Sequence, residues 1–337
     1  MVTDSGGYVL SDWIPIYPAI DYASGGAVYA FDISPPLVRI QHVNMLRIHL
    51  SEPGLRFYTT PTGGEYQTVG DTITGFLTNN PDLRVAINAS LSWYDEDRVG
   101  GNFSLFGLCI SKGEVVCDPS LPAPQPPRPI LPLPDVPDNT YVGAAALVIS
   151  QDNAAMIQVV TAANPLPSPL PDPARYYTSV AGSAQPIGGG PYNYDWPPQL
   201  PVPGPLVLVE FGQQFGTPYE NPPEKVAGRT AVGLSATQPG ELTREYLYLV
   251  TIDGREDSSP QYGAGFYDLG FWLLQAGAGI GINLDGGGST AMARSDLDEF
   301  GNPVVTLINV PYGDEKTPGF ERAVGQFFGV APPLYRV

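Results

Sequence analysis

Gly281-Ile282-Asn283-Leu284-Asp285-Gly286-Gly287-Gly288-Ser289-Thr290 sets the frame for the whole chain. An apolar strand runs into a carboxylate, and three glycines and two hydroxyls follow. At the two-residue period of a strand, Ile280, Ile282 and Leu284 share one face, and Asn283 and Asp285 share the other. Three consecutive glycines cost chain entropy, and they suit a backbone that takes positive φ or lets a ligand approach closely. Peptide N–H groups in such a turn form a small anion-binding nest. Ser289 and Thr290 can cap the next turn or bond the same ligand. A tight strand exit shaped only for packing would use the same glycines. The Asn/Asp pair ahead of them and the hydroxyls behind favour a site.

Outward from this stretch, residues 267–276 read as a helix closed by Gly277, and residues 230–235 and 247–253 as strands. Hairpin-like pieces follow around Gly301-Asn302 and over 304–309. Upstream, residues 43–50 alternate, with Leu46, Ile48 and Leu50 as the apolar face. Residues 72–79 are a helix candidate entered at Asp71 and stopped by Pro81, and 85–90 a buried strand. Further strands are expected at 144–150, 155–160 and 206–211. The expected class is α+β: a strand-dominated mixed sheet with a few packed helices and two proline-rich insertions. Residues 1–27 read as an N-terminal arm, 28–330 as the main domain, and 331–337 as a tail.

The insertions fall at 119–137 and 165–205. Pro-x-Pro steps such as Pro122-Ala123-Pro124 favour extended polyproline geometry and cannot join a central sheet. The second insertion carries Tyr176, Tyr177, Tyr192, Tyr194 and Trp196, which would line a carbohydrate-binding rim or pack onto the protein's own body.

The 337 residues carry a formal charge of −18, from 34 acids against 16 bases. That field repels nucleic acid and anionic membranes, so neither is an expected partner. No apolar run approaches the ~20 residues of a membrane span. Met1–Leu10 lacks a basic, apolar signal segment, which reads as a mature or trimmed form. Cys109 and Cys117 flank an expected hairpin turning near Lys112-Gly113. The hairpin would bring the thiols together as a disulfide, in keeping with a secreted or extracellular location; two reduced cysteines fit the same spacing. His42 and His49 do not pair with cysteine or histidine at zinc spacing, so no metal and no cofactor are expected. Asp296-Leu297-Asp298-Glu299 resembles a calcium-loop fragment and fits a solvated hairpin turn better.

Three other strand ends resemble the glycine-rich one. Asp253-Gly254-Arg255 closes the strand 247–253; Arg229-Thr230 opens another; Asn88 ends a third. Glu321-Arg322 places a charged pair near the C-terminus. Asn88, Arg229-Thr230-Ala231-Val232-Gly233, Val250-Thr251-Ile252-Asp253-Gly254-Arg255, Asn283-Leu284-Asp285-Gly286-Gly287-Gly288-Ser289-Thr290 and Glu321-Arg322-Ala323-Val324-Gly325 follow in an order that resembles the phosphodiester glycosidase domain family. Ala89-Ser90 departs from that family's usual glycine and aromatic.

The resemblance implies a glycosidase cleaving a sugar–phosphodiester linkage, or a related glycan bond. Its partner would be a carbohydrate or sugar-phosphate substrate. A phosphate leaving group needs little proton donation and much charge stabilisation, assigned to Arg229, Arg255, Arg322 and the Gly286, Gly287 and Gly288 backbone, with Ser289 and Thr290 assisting. Asp285 is the first candidate for nucleophile or base. Asp253 is the second candidate, or a sugar-hydroxyl clamp. Asn88, Thr230 and Asn283 join as substrate-binding residues, the two asparagines orienting sugar hydroxyls. Alternatively, Asp285 pins the glycine loop by accepting its N–H groups. A different function class also fits: a non-catalytic extracellular surface or assembly protein that retains the fold.

Overall fold

A computed structural model describes residues 2–3, 8–31, 37–94, 97–105, 107–118, 145–159, 174–182, 207–210, 213–214, 226–235, 244–254, 262–313 and 317–333. The insertion 119–137 and most of 165–205, including Tyr192, Tyr194 and Trp196, lie outside these residues. So does Arg255.

The largest sheet has ten strands. Its centre runs Ile20–Phe31, Leu37–His49, Tyr246–Ile252, Arg229–Ser235, Ala278–Asn283 and Val207–Glu210. A five-stranded sheet runs Pro303–Leu307, Met292–Leu297, Val85–Asn88, Phe327–Ala331 and Arg56–Thr59. A second five-stranded sheet holds Cys109–Ser111, Glu114–Cys117, Ala145–Ile149, Ala155–Val159 and Thr178–Ala181. The fold is strand-dominated, as expected. The expected mixed sheet is replaced by several antiparallel ones: every strand pair among the described residues is antiparallel, from the twelve-residue ladder of Ile20–Phe31 on Leu37–His49 to the pairing of Val85–Asn88 with Phe327–Ala331. Ile20–Phe31 also extends the large sheet across residue 27, where the N-terminal arm was expected to end.

The large sheet is buried on both faces at its centre. Leu46, Ile48, Leu247, Leu249, Val232 and Ile282 pack against Ile87, Phe328, Val330, Leu147 and Val180 of the two smaller sheets. Val43, Met45, Val250 and Ile252 lie on the opposite face with helix α2, Phe266–Ala276. The alternation expected over 43–50 is present, yet its second face is apolar core too. Each large side chain so buried contributes roughly 1.5–3 kcal/mol.

Helix α2 forms because Phe266, Leu269, Trp272, Leu273 and Ala276 recur on one stripe. Asp268 Oδ2 accepts the Gly265 N–H at 2.9 Å at its start. Gly277, at φ 102°, ends it as expected, its N–H returning to Leu274 O at 3.0 Å. A shorter helix, α1, spans Ile73–Asn79 and buries Ile73, Phe76 and Leu77. Thr72 Oγ1 accepts the Gly75 N–H at 3.1 Å. The distant Glu321 adds two acceptors, taking the Thr74 N–H at 3.0 Å and the Thr74 hydroxyl at 2.7 Å.

Lys112 and Gly113 form the expected tight turn, both at positive φ (50° and 83°), and bring Cys109 into register with Cys117. The disulfide expected there is absent: the two thiols are unbridged and buried. A bulge between Cys109 and Ile110 shifts the register beside the pair. Cys109 Sγ instead lies 3.3 Å from Ser90 Oγ and 3.4 Å from Gln326 Oε1, and Cys117 Sγ 3.2 Å from Leu105 O. The expected calcium-like segment is an Asx-type turn: Asp298 Oδ1 accepts the N–H groups of Phe300 and Asn302.

Candidate active site

The glycine loop lies where the large sheet meets the sheet containing Val85–Asn88. Ala278–Asn283 pairs with Arg229–Ser235, which pairs with Tyr246–Ile252, so Asn283, Arg229 and Asp253 leave neighbouring strands at one end. The loop then crosses toward Asn88: Leu284 N–H donates to Thr230 O at 2.8 Å, and Asp285 N–H to Ala89 O at 2.9 Å. Gly287–Ser289 closes as one 3₁₀ turn.

Asn88 fixes this crossing. Its Nδ2 donates to Asp285 O at 2.7 Å, and its Oδ1 accepts the Thr230 hydroxyl at 2.7 Å and the Ala291 N–H at 3.1 Å. Asn88 and Thr230 are both fully buried. They hold the loop in place through side-chain bonds within the chain. Asp285 remains half-buried, and one of its oxygens, Oδ1, accepts the Gly286 N–H at 2.9 Å. The Gly287 N–H goes to Gly228 O at 2.8 Å, Ser289 N–H to Gly286 O and Thr290 N–H to Gly287 O, both at 3.2 Å. Most amides expected to cradle an anion therefore already hold the loop's own shape. Asn283 Oδ1 and Thr290 Oγ1 differ: both are buried and lack a hydrogen-bond partner among the described residues.

Two expected arginines do reach the loop. Arg322 lies against Gly288, where an added Cβ would stand 2.9 Å from Cζ. Its Nε donates to Gly313 O at 3.1 Å and faces Asp97 Oδ2 at 3.6 Å. Arg229 passes beside Gly286, its Cδ 3.8 Å from that residue's added Cβ. Its guanidinium sits 4.1 Å above the Phe266 ring, and its Nε donates to Ala264 O at 3.0 Å. Neighbours on a strand face opposite ways, so Arg229 turns toward α2 while Thr230 turns toward Asn88.

Asp253 is 4% exposed. Its Oδ1 accepts Asn309 Nδ2 at 3.1 Å and Val310 N–H at 3.0 Å. Burial pushes its carboxyl up to about 6, against the pull of the Val310 and Asn309 hydrogen bonds and the charge of His42. Asn309 also donates to Thr290 O at 3.2 Å and accepts the Met292 N–H at 2.6 Å, which ties Asp253 to the exit of the glycine loop.

The sequence gives no signal for Asn309, Asp97 or Tyr94. Burial raises the Asp97 carboxyl while Arg322 pulls it down. Burial also raises the Tyr94 phenol, with Asp97 and Asp285 adding and Arg322 opposing, so these four groups share one neighbourhood. Among the described residues, no cluster of three or more His, Cys, Asp or Glu is placed to hold a metal ion. No helix among them is long and apolar enough to cross a membrane.

Residues 194–331 match the model of the phosphodiester glycosidase family. No curated protein gives a significant sequence match. The chain is similar in structure to the zebrafish N-acetylglucosamine-1-phosphodiester alpha-N-acetylglucosaminidase catalytic domain, auto-inhibited by its pro-peptide. The TM-score is 0.54 and the identity 15%, covering 96% of this chain and 87% of that one. A protein from Burkholderia pseudomallei, described only as a proposed exported protein, gives a TM-score of 0.54 at 13% identity, covering 98% of each chain. Identities this low establish likeness of fold. The chain thus shares its fold with a phosphodiester glycosidase catalytic domain and, over 194–331, resembles that family in sequence.

Proposed function

We propose that this chain is a glycosidase that hydrolyses a sugar–phosphodiester linkage, or a related glycan bond, outside the cytoplasm. The observation carrying this reading is the meeting of the Arg322 guanidinium with Gly288, three residues from the Asp285 carboxylate. A cation for the departing phosphate, resting against the loop, then lies near the carboxylate that the loop carries for the anomeric carbon. Asn283 Oδ1 and Thr290 Oγ1, buried beside the loop and without a hydrogen-bond partner among the described residues, fit a ligand or water bond there. Arg322, Arg229 and Arg255 hold the phosphate charge. Asp285 attacks the sugar or activates water, and Asp253 takes a sugar hydroxyl. Action outside the cytoplasm draws on the exported character proposed for the Burkholderia protein.

The test is sugar release from N-acetylglucosamine-1-phosphodiesters and other sugar-1-phosphodiesters, beside a set of neutral glycans. Asp285→Asn, Arg229→Ala and Arg255→Ala should lose at least tenfold in kcat/KM while remaining folded. Full activity in those variants overturns the assignment. A second reading rests on the inward bonding of the Gly286 and Gly287 amides: a non-catalytic assembly protein that keeps the fold. Large ordered particles in solution, with no turnover of any substrate, would favour it.

A further inference from the structure

Beside the glycine loop, three aromatic rings gather around one buried carboxylate. The Asp253 N–H donates to His42 O at 2.9 Å, which seats the carboxylate next to the strand bearing His42. Tyr262 is drawn to that strand by a bridge to Ile40 and by the Gly263 N–H on Ile40 O at 3.2 Å. The His42 and Tyr262 rings lie 5.5 Å apart at 52°, and Tyr262 and Tyr312 lie 6.2 Å apart at 72°. Rings set at such angles meet at a corner rather than in a parallel stack. His42 is exposed, and both tyrosines are half-buried.

The two hydrogen bonds that Asp253 side-chain oxygens accept from described residues both fall on Oδ1. Among the described residues, Oδ2 accepts none. Burial and the nearby Asp253 charge hold the Tyr262 phenol up at about 12, so it stays a neutral hydroxyl. A ligand here therefore meets aromatic rings, phenol hydroxyls and a carboxylate oxygen that accepts no bond from the described residues. An anion would be repelled by Asp253. A polyhydroxyl ring fits, with its C–H face on an aromatic wall and one hydroxyl donating to Oδ2.

We propose that His42, Tyr262, Tyr312 and Asp253 form a subsite for an uncharged sugar ring, separate from the cationic side of the loop at Arg322. This rests on the carbohydrate reading above and assigns its two ends: the sugar lies on the Tyr262 and Tyr312 side, the phosphate on the Arg322 side. Tyr262 and Tyr312 then determine specificity for the sugar and leave the phosphate contact alone.

The chain has two histidines, which makes the test local. His49 belongs to another cluster, with its Nε2 2.8 Å from Asp21 Oδ2. Methyl glycosides of glucose, mannose, galactose and N-acetylglucosamine are titrated into the full chain while both imidazole signals are followed by NMR, assigned with His49→Gln. Inorganic phosphate is titrated separately. At least one glycoside should move His42 and leave His49 still. Tyr312→Ala and Tyr262→Ala should each weaken that binding at least tenfold with phosphate affinity unchanged, and Tyr312→Phe should retain it. If no glycoside of the set moves His42, or the alanine variants bind as the native chain does, the subsite is wrong. Tetramethylammonium moving His42 where no glycoside does would also overturn it, by making the corner a cation cage. Glycoside binding without any phosphodiester hydrolysis would keep the subsite and remove the proposed reaction.

Discussion

The Arg322 guanidinium rests on the bare Cα of Gly288: a Cβ built there would stand 2.9 Å from Cζ and 3.0 and 3.2 Å from the terminal nitrogens. The contact needs a residue without a side chain. Gly288→Ala should push the guanidinium off the loop and lower kcat/KM at least tenfold. The stability cost should be about 1–3 kcal/mol, typical of overpacking. Steady-state kinetics and urea unfolding measure the two effects separately, and an alanine variant with native kinetics would show that Arg322 plays no part in turnover.

Asp97 faces the same guanidinium at 3.6 Å, with both side chains about one-third exposed (33% and 29%). Its charge partly offsets the cation that phosphate would meet. Asp97→Asn should tighten inorganic phosphate binding several-fold, most clearly toward higher pH. Because burial holds the Asp97 carboxyl above its ordinary range, the native protein should approach the variant's affinity as pH falls. Calorimetric titrations across pH would reveal it; equal affinities throughout would leave Asp97 without influence on Arg322.

Local chemistry made much of this molecule legible. Lys112-Gly113 announced a two-residue turn, Gly277 a helix end, and Ile282 and Leu284 the buried face of the strand that delivers Asp285. These depend on neighbours in sequence. Tertiary contacts decided the rest. Asn88 reads as a polar strand end, yet it is wholly buried and spent on Thr230, Ala291 and Asp285. Asn309 carries no motif, and Glu321 reads only as the partner of Arg322; they matter because folding brings them to Asp253 and to the first turn of α1. The polar Asn44 and Arg47 hid the fact that both faces of the Leu37–His49 strand enter a core.

The hairpin thiols supply a chemical check. Burial pushes the Cys109 thiol up to about 12 and raises Cys117 as well. Neither should react with a disulfide reagent in the native protein at pH 8, and two equivalents should react once guanidinium unfolds the chain. Cys117→Ser should leave folding cooperative, with a loss of about 1–2 kcal/mol from placing a hydroxyl in an apolar site. Zero thiols under unfolding, non-reducing conditions would mean that the pair does oxidise.

Asp253 makes folding sensitive to pH in a defined direction. Its folded value of about 6 stands above the ordinary 3.8, because burial outweighs the hydrogen bonds from Val310 and Asn309. Below pH 3.8 the group is protonated in both states, and its contribution is fully present. Between 3.8 and 6 the unfolded chain releases its proton first, so stability falls as pH rises, then levels once the folded carboxyl has ionised. The loss is on the order of 2–3 kcal/mol. Asp253→Asn keeps an oxygen for the Asn309 amide and the Val310 N–H and carries no charge to bury. The variant should lack this component of the pH slope, gain stability over the native chain at pH 8, and show no gain at pH 3.5. Urea unfolding at stepped pH, followed by tryptophan fluorescence, would show the two curves converging in acid. Parallel curves would mean that Asp253 is ionised throughout the range, and would remove burial as the force that sets its proton.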